Sequence, residues 1–415
     1  MDRAPLRVCL AATLVLLTTG SFAFSADDDL REKALKLNQV TGTTAMSARL
    51  FELMKDKETT KKLLVEAVKM AKDEKKPLKF NACFILARAA QGLKDVPTAE
   101  IFYKLCADDA TKLGSASKII DVFDNMIDLY SQNKKFDEAI RACQEFLDIQ
   151  VDDVESPINQ MKPFILEKLV LATARKGKID EALKIADNLI EKDKGGWYFV
   201  RLKAEVYREA EKYGDAADSY LQTIDRLKNN KRLEEAQREM FIKRIRYGLS
   251  NIYVELKQID KSAEQLEILM KEDPDNPTYM NDLGFVWADH DMKVDEAEKL
   301  IRKAIEKDRE QRKKIEDLPK DEDVDNAAYL DSLGWVLFKQ KKYADAKKEL
   351  LTATKLEDGK HIEILDHLAD VHMALGEKAD AVKIWKDALK QDNLSRREKE
   401  RKKIIEQKLA DAEKK

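Results

Sequence analysis

One spacing recurs along this chain and limits what it can fold into more than any other feature. Leu283-Gly284-x-x-Trp287 is followed by Ala297, Ile301 and Ala304, and Leu333-Gly334-x-x-Leu337 by Ala346, Leu350 and Ala353. With Gly334 numbered position 8 of a unit, positions 7, 11 and 24 are large and apolar, and positions 8, 20 and 27 are small. Leu249, Ser250, Tyr253, Ser262 and Leu266 fit this frame, with Pro274 where the unit ends, and so do Leu368, Ala369, His372, Ala381, Trp385 and Ala388. Partial copies run through Leu86, Ala87, Ala99, Tyr103 and Cys106; Met126, Tyr130, Ala139 and Cys143; Leu169, Ala182 and Leu189; and Ala204, Tyr207, Ala216 and Tyr220. Position 8 therefore falls at Ala87, Ile127, Val170, Ala204, Ser250, Gly284, Gly334 and Ala369, giving about eight repeats. Apolar residues at helical period predict two helices per repeat. Small residues at 8, 20 and 27 let the two helices approach closely. Large ones at 7, 11 and 24 fill the gap to the next pair. One hairpin cannot bury its apolar face alone, but a stack of them can.

Composition agrees. The 415 residues include only 13 Gly and 8 Pro, too few for a turn-rich sandwich or barrel, while 44% are hydrophobic, too many for a disordered chain. Gly177, Gly214 and Gly376 sit near the expected turns between paired helices, where a left-handed residue suits a helix end.

The spacing resembles the tetratricopeptide repeat family over residues 79–394. The block Leu330-Asp331-Ser332-Leu333-Gly334-Trp335 and the last unit, Asp366-His367-Leu368-Ala369-Asp370 with Trp385, resemble forms found in exported bacterial members. The resemblance implies an all-α, right-handed solenoid of helix-turn-helix repeats with helical caps. Several intervals exceed the standard 34 residues and carry insertions. Residues 225–245 read as a first helix lengthened at its start, and 306–326 as the largest insertion, ending in an acidic turn. Residues 27–78 read as an N-terminal cap of two or three helices. Residues 395–415 read as a charged capping helix that begins after Ser395 and closes the last repeat through Ile404, Ile405 and Leu409.

Residues 1–26 have the layout of a secretory signal peptide: Arg3 and Arg7, an apolar run from Val8 to Leu17, then small residues. Cleavage after Ala23 or after Ala26 fits. The run is shorter than the roughly 20 residues that span a bilayer. The expectation is an exported bacterial protein, periplasmic or secreted, with no stable membrane span. Cys83, Cys106 and Cys143 would remain; an odd number cannot all pair internally. They read as buried free thiols, with a Cys83–Cys106 bridge as the alternative.

A search for chemistry returns little. Of His290, His361, His367 and His372, the last three are six and five residues apart, not the three or four that share a helix face. His372 takes the large position 11 and reads as a core residue; His367 reads as exposed. Asp321, Asp323 and Asp325 alternate like the start of a calcium loop, but Asn326 and Ser332 stand where that loop needs Gly and Glu. No phosphate-binding glycine loop or nucleophile elbow is present. The reading is therefore a non-enzyme with no cofactor and no metal. The 76 basic and 79 acidic residues are interleaved, which argues against nucleic acid.

In family members the first helix of each repeat lines the concave side, mainly through positions 2, 5, 9, 12 and 13. Those positions are polar in early repeats, as at Asp121, Asp124, Asp128, Arg201, Glu205 and Arg208. The later repeats offer an apolar strip with acidic and amide edges: Tyr247, Asn251, Asn281, Phe285, Asp331, Trp335, Phe338 and Asp370. Such strips mark binding sites. The alternative is that Trp335 and Phe285 turn sideways between neighbouring first helices, or that the insertion or the C-terminal helix covers them. The family's carboxylate-clamp arrangement is missing; Asn251 matches one element, but Tyr247 stands where its lysine would be. The function expected is adaptor-like capture of a protein or peptide partner. A self-associating envelope scaffold, a homo-oligomer, is the alternative.

Overall fold

The computed structural model describes residues 26–71, 78–194, 196–319, 322–392 and 394–414. All but the last residue of the expected signal peptide, residues 1–25, and Asp321 lie outside them. Every regular element among the described residues is helical. The chain divides into two compact bodies, one ending at Lys176 and the other starting at Gly177.

The first body opens with α1 (Ala26–Lys36), α2 (Thr43–Lys55) and α3 (Lys57–Met70), the three helices of the expected cap. It continues as α4 (Phe80–Gly92) with α5 (Val96–Leu113), α6 (Ala116–Gln132) with α7 (Phe136–Leu147), and α8 (Pro157–Arg175). Its core runs from Ala34 to Ala172 and is centred on fully buried Phe102, Tyr103 and Phe146. Cys83, Cys106 and Cys143 are free and buried in it. Burial pushes the Cys143 thiol up to about 12, far from a reactive thiolate.

The second body holds α9 (Ile179–Lys192), α10 (Trp197–Glu209) with α11 (Tyr213–Lys228), α12 (Glu235–Glu255) with α13 (Ile259–Glu272), α14 (Pro277–Asp289) with α15 (Val294–Arg312), α16 (Ala327–Lys339) with α17 (Tyr343–Ala353), α18 (Ile362–Ala374) with α19 (Lys378–Ala388), and α20 (Arg396–Lys414). Each of these first helices packs on its partner, and α14, α16 and α18 pack on one another in sequence. Helix starts follow local chemistry. Asn276 and Asn326 accept backbone N–H bonds from the first turns of α14 and α16, with Pro277 at the first helical position of α14. Ser395 and Glu398 cap α20 reciprocally: the Ser395 N–H donates to Glu398 and the Glu398 N–H to Ser395 Oγ.

The small positions do what the spacing implied. A Cβ on Gly284 would stand 2.6 Å from Ile301 and 3.0 Å from the Ala297 carbonyl, and one on Gly334 would stand 2.5 Å from Leu350. Leu350 occupies position 24, and Ile301 is its counterpart one place later, after one extra residue in the turn of its repeat.

Two expectations need correcting. Residues 225–228 end α11, a turn follows, and the lengthened first helix begins only at Glu235. Gly214 lies within α11; its repeat turns through Glu211 instead, at φ 58°. The left-handed residue falls at position 15 in all eight repeats: Lys94, Lys134, Gly177, Glu211, Lys257, Asp291, Lys341 and Gly376. In seven of them the next N–H donates back to the carbonyl at position 11, at 2.7 to 2.9 Å, closing the helix end in a Schellman turn.

Candidate functional site

The strip residues lie on α12, α14, α16 and α18, and three groupings emerge. In the first, the Tyr247 hydroxyl donates to Asp282 Oδ2 at 2.7 Å, and the Tyr247 ring stands 5.7 Å from that of Tyr279. Burial raises the pKa of Asp282 against the hydrogen bonds from Tyr247 and Asn281. Asn281 is itself interior, 5% exposed, while Asn251 is exposed and donates to the Tyr247 carbonyl.

The second grouping spans α14, α16 and α18. The half-buried Trp335 ring stacks on Phe338 at 5.0 Å and on His367 at 4.1 Å, within 15° of parallel. Its Nε1–H donates to Asp289 at 2.9 Å, and the Phe285 ring stands 6.4 Å from His367. His367 Nδ1 pairs with Asp331 at 2.9 Å. Complete burial disfavours the imidazolium, but the charge and hydrogen bond of Asp331 outweigh it and hold the His367 pKa above its ordinary value. The expectation that His367 is exposed is overturned. Its position faces the preceding first helix, where Asp331 and Trp335 receive it. Asp331 is interior as well, at 6% exposure. Trp335 therefore packs between neighbouring first helices while keeping part of its surface open.

The third grouping ties α18 to α20. Asp366, fully buried, accepts from Trp385 Nε1 at 2.9 Å, from Arg401 at 3.1 Å and from Lys408 at 2.8 Å. Lys408 also reaches Asp370 at 2.6 Å. Asp370, by contrast with Asn251, is thus occupied by the chain itself. A cavity of about 730 Å³ lies between α20 and the strip. Ser250, Asn251 and Val254 of α12 and Asp282, Phe285 and Asp289 of α14 form one wall; Glu363, Arg397, Arg401 and Ile404 form the other. Ser262 Oγ, buried in the same lining, has no protein partner.

Sequence reasoning missed His367, Asp282, Asp289 and Arg401. The signal available for the first was the acid at position 5 of the preceding repeat. Coverage of the strip by the C-terminal helix was one alternative, but the local pattern did not show that Arg397, Arg401 and Ile404 would face it.

Elsewhere, His372, Glu377 and Asp380 converge with ligand atoms within 4.8 Å of one another. The Lys347 ammonium already sits 2.6 Å from the same Glu377 oxygen that faces His372. That is an ion-pair cluster, and a second cation there would be repelled. The acidic turn after α15 is likewise paired: Arg309 and Arg312 hold Asp325, and Arg312 holds Asp323.

A tetratricopeptide repeat family profile matches residues 168–231. A tetratricopeptide repeat-containing protein of Pseudomonas aeruginosa is 30% identical over 166 residues, covering 37% of this chain and 25% of that protein. The chain thus matches about a quarter of that relative's length. Among solved structures, a tetratricopeptide repeat protein from Parabacteroides merdae aligns with a TM-score of 0.47 at 14% identity, covering 71% of this chain and 99% of that one. The C-terminal part of a Cytophaga hutchinsonii repeat protein aligns at 0.38 and 14%, covering 67% and 98%.

Proposed function

We propose, for this tetratricopeptide-repeat protein, that the faces of α12, α14, α16 and α18 form the capture surface for a protein or peptide partner. The observation that carries this reading is the cavity beside the strip, with Phe285 and Val254 as apolar wall and Asp282 and Asp289 as acidic wall. Rigid helices present these groups with little ordering cost on binding. Trp335, Phe338, Phe285, Tyr247 and Asn251 would touch the partner. Asp370 would be freed for contact if α20 moves, and interior Asn281 and Asp331 would position their neighbours. The N-terminal layout supports an exported location, so the partner is sought in the cell envelope.

The test is affinity capture from an envelope fraction with the full chain and with Trp335→Ala/Phe338→Ala. Loss of a specifically retained protein with unchanged helicity is the expected result. Unchanged retention would move the site elsewhere.

A further inference from the structure

Helix α20 is held to the rest of its body in two different ways. Its C-terminal half is packed: Ile405 and Ala412 are buried in a cluster with Trp385, Ala388, Ile362 and Ala369, and Leu409 packs against it. Its N-terminal half is held by charge. Arg397 donates to Glu255 at 2.7 Å, and Arg396 reaches Glu255 at 3.2 Å and Glu211 at 3.3 Å and meets the Tyr213 hydroxyl. Arg401 donates to Glu363 at 2.7 Å, and Glu398 faces His361 at 2.9 Å. Of the residues joined at this end, Arg396 and Tyr213 lie 183 positions apart in sequence. Beneath this half lies the cavity rather than packed side chains, and Ile404 on the cavity side is 49% exposed.

We infer that the N-terminal half of α20 is a resident ligand of the capture surface, an electrostatic latch whose place is taken by a basic segment of the partner. The argument is complementarity. Glu211, Glu255, Glu363 and Asp289 form an acidic rim, and the occupant the chain itself supplies is a helix with paired arginines. The pairs made by Arg396 and Arg397 are exposed, and such pairs contribute little individually and are screened by salt. The Arg396–Arg397 end can therefore lift while Arg401, held on buried Asp366, and the Ile405 half stay seated. A partner segment with adjacent Arg or Lys residues satisfies the same carboxylates and gains the cavity's apolar wall. An acidic segment meets like charge.

This inference rests on the capture surface proposed above, and its test is separable from that one. A fluorescent peptide with the sequence of residues 395–414 is titrated against the full wild-type chain and against Arg396→Glu/Arg397→Glu. The variant is expected to bind at least roughly tenfold more tightly than wild type, to lose that binding at about 0.5 M salt, and to ignore an acidic peptide of equal length. Adding Glu255→Lys should remove the gain. Independently of any variant, hydrogen exchange at the Arg396–Arg397 end of the wild-type helix should rise with salt, while residues 405–414 keep their protection. A helical variant that binds the peptide no better than wild type, equal binding of the acidic peptide, or salt-independent exchange overturns the latch. If the latch falls while Trp335→Ala/Phe338→Ala still abolishes capture, the surface stands without it. The reverse outcome removes the surface.

Discussion

At His367, burial and a carboxylate act against each other, and the carboxylate wins. The folded-state pKa is raised above that of the unfolded chain, which lies near 6.5. The interaction therefore stabilises fully at pH values below the unfolded pKa and is lost as pH rises through the folded one. Denaturant midpoints of the wild type should fall as pH rises above about 6.5, and His367→Gln should show a shallower decline. An identical slope in both proteins would mean that His367 is neutral when folded. The aromatic and acidic types along the strip were legible in the sequence. Which of their atoms reach solvent was not, because a first-helix position faces both the groove and the neighbouring first helix. Trp335 does both, Asn281 and Asp331 only the second.

For the helix pair, the decisive quantity is how closely two backbones approach. Two glycines separate this effect from intrinsic helix preference. A Cβ on Gly248, within α12, would meet nothing within 4 Å, whereas one on Gly284 would meet Ile301 and the Ala297 carbonyl. Gly248→Ala should stabilise by up to about 1 kcal/mol. Gly284→Ala should destabilise by about 1–3 kcal/mol, both read by chemical denaturation. Equal effects of the same sign would contradict close approach at position 8. The repeat frame was legible because packing demands small residues at fixed spacing. The turns were not: six of the eight left-handed residues are Lys, Glu or Asp, which the Schellman hydrogen bonds hold where glycine was expected.

At the scale of the whole chain there are two bodies, the first with a core from Ala34 to Ala172 and the second with one that begins at Ala204. Repeat arrays couple mainly between neighbours. Phe102→Ala, at a fully buried site of the first body, should cost about 3–5 kcal/mol there. Hydrogen exchange should accelerate over residues 78–176 and stay unchanged over residues 235–388; acceleration throughout would indicate one cooperative unit. The most direct test of the central claim, that the first-helix side of the later repeats captures a protein, is site-specific photo-crosslinking in an envelope fraction. A photoreactive residue is placed at Asn251 on the cavity wall or at exposed Lys299 on second helix α15. The account predicts a discrete protein adduct from position 251 and none from 299. Adducts from 299 alone, or equal yields from both, would contradict it.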